Sequence, residues 1–190
     1  EDGEPPGLID RIAALEEAMP RWNETLTSIS REINAIGSLM AASTEEITAS
    51  SGKGFAARLI VARRLAADLE EPVQSIESLS RDWLSDLDDI DSGVRILVER
   101  ADEAHAEDAT GTLEFLRSVR KLSSAAHDGL GQSMMMVQSL RTIAEQSRDL
   151  RPVLRRLQNA LVAMAEARIL TDEWLELVDR TGLLPDDGAA

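Results

Sequence analysis

The chain has 190 residues, of which 43% are hydrophobic and 29% charged; its net charge is -15 and it has no cysteine. Such a composition is too apolar for a disordered chain and sufficient for one domain, or one elongated module, with a sizeable core. It excludes disulfides, thiolate metal sites and cysteine nucleophiles, and long-range repulsion opposes binding to nucleic acid or anionic membranes.

Aromatic residues make up 3% of the chain, while Ala, Leu, Glu, Arg and Gln dominate. These are helix formers, and no segment carries a strand signal. No apolar run approaches the roughly 18 residues needed to cross a bilayer. The end segments EDGEPPG and PDDGAA read as linkers. We therefore expect flexible segments at 1–7 and 183–190 around a helical bundle domain at 8–182. On the same reading the chain is a piece of a larger protein, cytoplasmic and tethered to a membrane through a segment outside it.

From Ile12 the apolar residues fall at Leu15, Met19, Trp22, Leu26, Ile29, Ile33, Ile36 and Met40. Steps of three and four over four heptads describe a coiled-coil-like seam. Pro20 predicts either a kink or the first turn of a new helix. The pattern ends at ASSGKGF, residues 49–55, where Ser and Gly punctuate the chain.

A second seam runs through Ala62, Ala66, Leu69, Val73, Ile76, Ser80, Trp83, Leu87, Ile90, Val94, Leu97 and Ala101, with Pro72 predicting a bend. It should stop near AHAEDATG, where Asp108 or Thr110 offers an N-cap for the next helix. The third helix is less regular: Leu113, Leu116, Val119, Ala126, Leu130, Met134, Val137, Leu140 and Ile143, with Gly129 and Gly131 weakening its middle. A last seam uses Leu150, Leu154, Leu157, Leu161 and Met164, then shifts phase to reach Trp174 and Leu177. Pro152 either starts this helix or kinks a continuous one, and the helix should end near Gly182. The fold expected is all-α, an elongated antiparallel bundle of three to four long helices. Short connections at 51–54 and 105–110 make the first three antiparallel.

Four motifs test for chemistry. Asp102-Glu103-Ala104-His105 spells a helicase signature, but such a motor also needs a phosphate loop G-x-x-x-x-G-K-[ST]. Gly52-Lys53 is followed by Gly54, and Ile47 stands where the first Gly belongs. DEAH is therefore expected to be the polar, fraying end of a helix. Asp88 to Glu99 has Gly93 at position 6 of a calcium loop, yet Ile90 occupies position 3, where an oxygen ligand is required. An acidic helix face is the simpler reading. His105 and His127 are the two histidines, and Asp102 and Ser124 precede them by three, so no Glu-x-x-His pair exists for a di-iron bundle. His127 and Asp128 could form a local pair.

Two features point to partners. Met134, Met135 and Met136 are consecutive, so on a helix they cannot all face one core; an exposed one would adapt to a partner helix. Arg58, Arg63 and Arg64 near the start of the second helix should converge on one end of the rod with Arg148, Arg151, Arg155 and Arg156. They either pair locally with Glu45, Glu46 or Asp68, or line a site for an acidic partner or phosphate. Residues 82–108 carry ten acids and two arginines, making the opposite end acidic. We expect a non-enzymatic interaction, signalling or scaffold module, without cofactor or metal, that binds a protein partner or itself. The alternative is a bundle that senses a small molecule held between helices.

Overall fold

The computed structural model describes residues 7–49, 55–144 and 150–185. They form four long helices and one short one: α1 (Leu8–Ala49), α2 (Phe55–Glu99), α3 (Ala101–Glu107), α4 (Ala109–Ala144) and α5 (Arg151–Arg180). The architecture is an all-α bundle. At about 1.5 Å per residue the 45-residue α2 is about 68 Å long, so the bundle is a rod.

Its helices are arranged around a square. α1 packs on α2 and α4, and α5 packs on the same two. Cross-links fix the directions. Arg21 pairs with Asp86 and Arg64 with Glu46, so α1 and α2 are antiparallel. Arg120 meets Asp179 and His127 meets Asp172, so α4 and α5 are antiparallel as well. α2 and α5 run parallel, with Glu77 beside Arg156 and Arg95 beside Glu173. α1 and α4 are also parallel: Leu26 lies against Gly129, and Met136 against Gly37. α2 and α4 are successive long helices, yet they occupy opposite corners.

The seven-residue α3 bridges that diagonal and contacts both helices. The expected second helix thus ends at Glu99, earlier than its seam suggests. Helical bonding continues through the bend at Arg100, whose N–H donates to the Ile96 carbonyl at 3.1 Å. The chain then reverses at Asp108, in extended backbone. Asp108 caps α4 as expected: its Oδ1 accepts from the N–H groups of Thr110 (3.1 Å) and Gly111 (3.0 Å). DEAH therefore lies on a separate crossover helix, not a fraying end. Asp102 and Glu103 face solvent while Ala101 and Ala104 close the core.

Every member of the first seam is buried except Leu15, which is half-buried. Both α1 and α2 run through their prolines without interruption, so Pro20 opens no new helix. Pro152 sits in the first turn of α5, where a missing N–H costs nothing. Gly129 and Gly131 lie within unbroken helix. The expected phase shift in α5 does not occur. Its buried row is Val153, Leu157, Ala160, Met164, Ala167, Thr171, Trp174 and Val178, one continuous seam. Leu154 and Leu161 only flank it, half-buried against the core. The helix stops at Gly182, whose φ of 65° is left-handed and suits glycine. Past the expected boundary at 182, Leu184 is buried and Leu183 packs on the core. Arg120 also donates to the Pro185 carbonyl at 3.0 Å.

Among the described residues no helix is long and apolar enough to cross a membrane.

Candidate interaction surfaces

The residues expected to form a basic end divide into paired and exposed groups. Arg64 is paired with Glu46, the local alternative considered from sequence. Arg156 reaches across to α2, donating to Glu77 Oε2 at 3.0 Å, and Asn159 Nδ2 donates to Glu77 Oε1 at 2.7 Å. Arg81, one turn along α2, bonds the same carboxylate at 2.8 Å. Burial pushes the Glu77 carboxyl upward, but the bonds from Asn159 and Arg156 and the charge of Arg81 prevail and hold it below the usual carboxylate range. Arg63, Arg151 and Arg155 are exposed. Arg155 joins Glu77, Pro152, Arg156 and Asn159 around an open groove of about 480 Å³. Arg148 and the Arg58 side chain lie outside the described residues.

A second polar clamp ties the same two helices further down. Trp174 is buried, and its Nε1 donates to Asp91 Oδ1 at 2.7 Å. Arg95 Nε donates to Asp91 Oδ2 at 2.7 Å, and its guanidinium also pairs with Glu173. These bonds raise the Arg95 pKa above its ordinary value despite partial burial. The segment with calcium-loop spacing, Asp88 to Glu99, is continuous helix, with Asp91 engaged by protein donors. Among the described residues no group of three or more His, Cys, Asp or Glu could hold a metal. His127 takes Asp172 of α5 as its partner, at 2.9 Å, in place of its neighbour Asp128.

The surface changes character on the upper half of α1, α4 and α5. Residues 33–44, 129–140 and 157–165 contain no charged side chain, although 29% of the chain is charged. The helix pairing sets these three stretches at one level: Gly37 lies by Met136, and the antiparallel run of α5 along α4, with Gly131 by Arg168, carries residues 157–165 past the C-terminal half of α4. Of the three methionines, Met134 and Met136 pack against the core while Met135 is 67% exposed. Met135 points away from the buried row of α4. On α5, Val162 and Ile169 are 52% and 58% exposed, seven residues apart on the outward face.

Glu77, Asn159, Val162 and Ile169 do not figure among the sites expected from sequence. Glu77 was hidden by its charge beside the seam residue Ile76. The signal for Val162 and Ile169 is an apolar pair seven apart and off the seam, legible only once the true α5 seam is known. Comparison with known proteins supplies no relative: no family model matches the chain, and no curated protein or solved structure is significantly similar to it.

Proposed function

We propose that this chain is a non-enzymatic helical interaction module that holds protein partners on the uncharged upper face formed by α1, α4 and α5. The exposure of Met135 and Val162 within stretches free of charge carries this reading. Ile60 and Ile96 of α2 are exposed too, but Ile96 stands between charged neighbours such as Arg95 and Glu99, and charged residues form the rims of protein-binding faces more often than their centres. Met135 provides an unbranched, polarisable side chain that moulds to an apolar partner. The core supplies rigidity: Trp22, Trp83, Trp174 and Phe115 are each at most 1% exposed. Such a rod presents its face without ordering on binding, which keeps the entropic cost of association low.

The test is a photo-reactive amino acid at Met135, compared with the same probe at the exposed acidic position Asp89, in the cells that make the protein. Specific adducts at 135 that are missing at 89 are expected. No adduct at 135, or equal labelling at both positions, would overturn the reading.

A further inference from the structure

We propose that His127 is a phosphoryl acceptor, taking the group from an acyl phosphate onto Nε2 and holding it beside the Arg168 guanidinium. The inference goes beyond docking and does not depend on which face holds a partner. Its basis is the way α4 and α5 set one imidazole between an acid and a base. The His127 side chain is 46% exposed, and its Nδ1 lies 2.9 Å from Asp172 Oδ1. A carboxylate only accepts, so in the neutral ring the proton sits on Nδ1. Nε2 then keeps its lone pair in the ring plane, and the carboxylate behind the ring raises its basicity. That is the form in which imidazole acts as a nucleophile.

Arg168 completes the arrangement without blocking it. Its Nη2 is 3.1 Å from Nε2 and 3.4 Å from Nδ1 of His127. The lone pairs of the two ring nitrogens diverge, so an atom almost equidistant from both sits over the ring face, where guanidinium groups stack. The in-plane approach to Nε2 is therefore left open. Gly131, one turn beyond His127, gives the guanidinium room, since a Cβ there would already lie 3.7 Å from Arg168 Nη1. The guanidinium also has donors to spare. Its ion pair with Asp172 is long, 3.8 Å from Nε to Oδ2, and Nε is buried without a hydrogen-bond partner among the described residues. Asp128, the acid next in sequence, is turned about 100° around α4 from His127.

The step balances with these groups alone. The Nε2 lone pair attacks phosphorus, the N–P bond forms as the P–O bond to the acyl group breaks, and the carboxylate leaves with that electron pair. No proton moves: Nδ1 keeps its hydrogen, the ring becomes cationic, and Asp172 balances the new charge. A departing carboxylate needs no general acid, which suits a site whose group beside Nε2 is a guanidinium. Phosphoryl transfer depends mainly on positioning and on neutralising the charge of the group in flight. Asp172 positions the nucleophile, and Arg168 offers its spare N–H donors to the phosphoryl oxygens.

The test treats the whole chain with acetyl phosphate and reads the product by phosphorus NMR and mass spectrometry under alkaline conditions. The same chain recovered from the cells that make it is read in parallel. An acid-labile, base-stable N–P bond is expected at Nε2 of His127, absent from His127→Gln and scarce at His105, the other histidine. Asp172→Ala, folded by circular dichroism, should slow labelling roughly tenfold and divide the label between the two ring nitrogens. Arg168→Ala should slow it by at least roughly tenfold while the label stays on Nε2, because the tautomer is still fixed. The division between ring nitrogens is a signature that lost packing alone would not produce. Labelling by acetyl phosphate identifies a small acyl phosphate as a sufficient donor, whereas labelling only in the cellular chain assigns a protein-borne one. No N–P bond at His127 in either preparation would overturn the proposal. So would equal occupancy of His105 and His127, or a rate and isomer pattern unchanged in Asp172→Ala.

Discussion

Two helix pairs in this bundle run parallel without being joined directly by the chain, and they are held in different ways. α2 and α5 meet through polar clamps, Glu77 with Arg156 and Asn159, and Asp91 with Trp174 and Arg95. α1 and α4 meet through small and apolar groups, Gly129 against Leu26 and Gly37 against Met136. Where charges approach on that side they are alike: Glu16 lies near Glu114. Hydrophobic seams are tolerant of sliding by a turn, whereas a buried carboxylate with three named donors is not. The polar side of the bundle therefore fixes register, and the apolar side supplies close packing. One consequence is that stability should depend on pH in opposite senses on the two sides.

The largest effect tests the lower clamp. Trp174→Ala should cost about 3–5 kcal/mol, measured by chemical denaturation, from lost volume and the cavity left behind. Trp174→Phe keeps most of that volume but removes the donor to Asp91, and should cost about 1–2 kcal/mol. The other two buried indoles provide the contrast, since Nε1 of Trp22 and of Trp83 has no hydrogen-bond partner among the described residues. At those positions Trp→Phe removes no bond, and the loss should follow volume alone. Equal costs for Trp174→Phe and Trp83→Phe would mean that the clamp contributes nothing.

Next is Glu77→Ala, which strands Arg156 and Asn159 without their acceptor and should cost about 1–3 kcal/mol at neutral pH. Its sign with pH is fixed by the lowered carboxyl pKa. The folded value lies below the unfolded one, so the contribution is full above the unfolded value of about 4.3 and is lost as pH falls through the folded value. Wild type and variant should converge once pH falls below the folded value. A constant gap between them down to strongly acid conditions would refute the clamp's electrostatic role.

The seams of this fold were largely legible in the sequence, because period alone determines which face of a long helix is buried. Ile12 to Met40 shows this best, with every member enclosed but Leu15. Period does not say which helices adjoin. The diagonal placement of α2 and α4 depends on α3, and Ala101 disguised that helix by continuing the seam of α2 in phase. In α5 the seam passes through Ala160, Ala167 and Thr171, which register weakly on any hydrophobic scale, so the larger leucines beside it dominate the pattern. The site followed the same rule. Clustered arginines were visible as a basic end, but which of them pair depends on tertiary neighbours such as Glu77. Outward apolar residues such as Val162 are recognisable only against a correct inward row.

A smaller effect probes the apolar side. A Cβ at Gly129 would meet the Leu26 carbons at 3.6 Å, an ordinary contact distance. Gly129→Ala should therefore fit, and the gain in helix propensity should stabilise the fold by up to about 1 kcal/mol. Gly129→Leu should instead force α1 and α4 apart and cost about 1–3 kcal/mol. Thermal unfolding of the two variants, shifting in opposite directions, would show that α1 and α4 are already at contact distance. Two shifts of the same sign would show that they are not.

The smallest effect is also the one that separates the two sides most cleanly. Partial burial, with repulsion from Glu114, raises the Glu16 carboxyl pKa above its usual value. A folded value above the unfolded one favours folding below the unfolded pKa, and that contribution is lost as pH rises through the folded value. At pH 7 the charged carboxylate therefore opposes folding. Glu16→Gln should raise stability there by less than about 0.5 kcal/mol, the size expected of a surface change. The advantage should fade on acidification, where the wild-type carboxyl is neutral too. Glu114→Gln relieves the same repulsion, so the double variant should gain less than the sum of the single ones. Glu77→Ala and Glu16→Gln thus predict differences from wild type of opposite sign at neutral pH, both shrinking toward acid. An additive double variant at 16 and 114 would instead assign the Glu16 shift to burial alone.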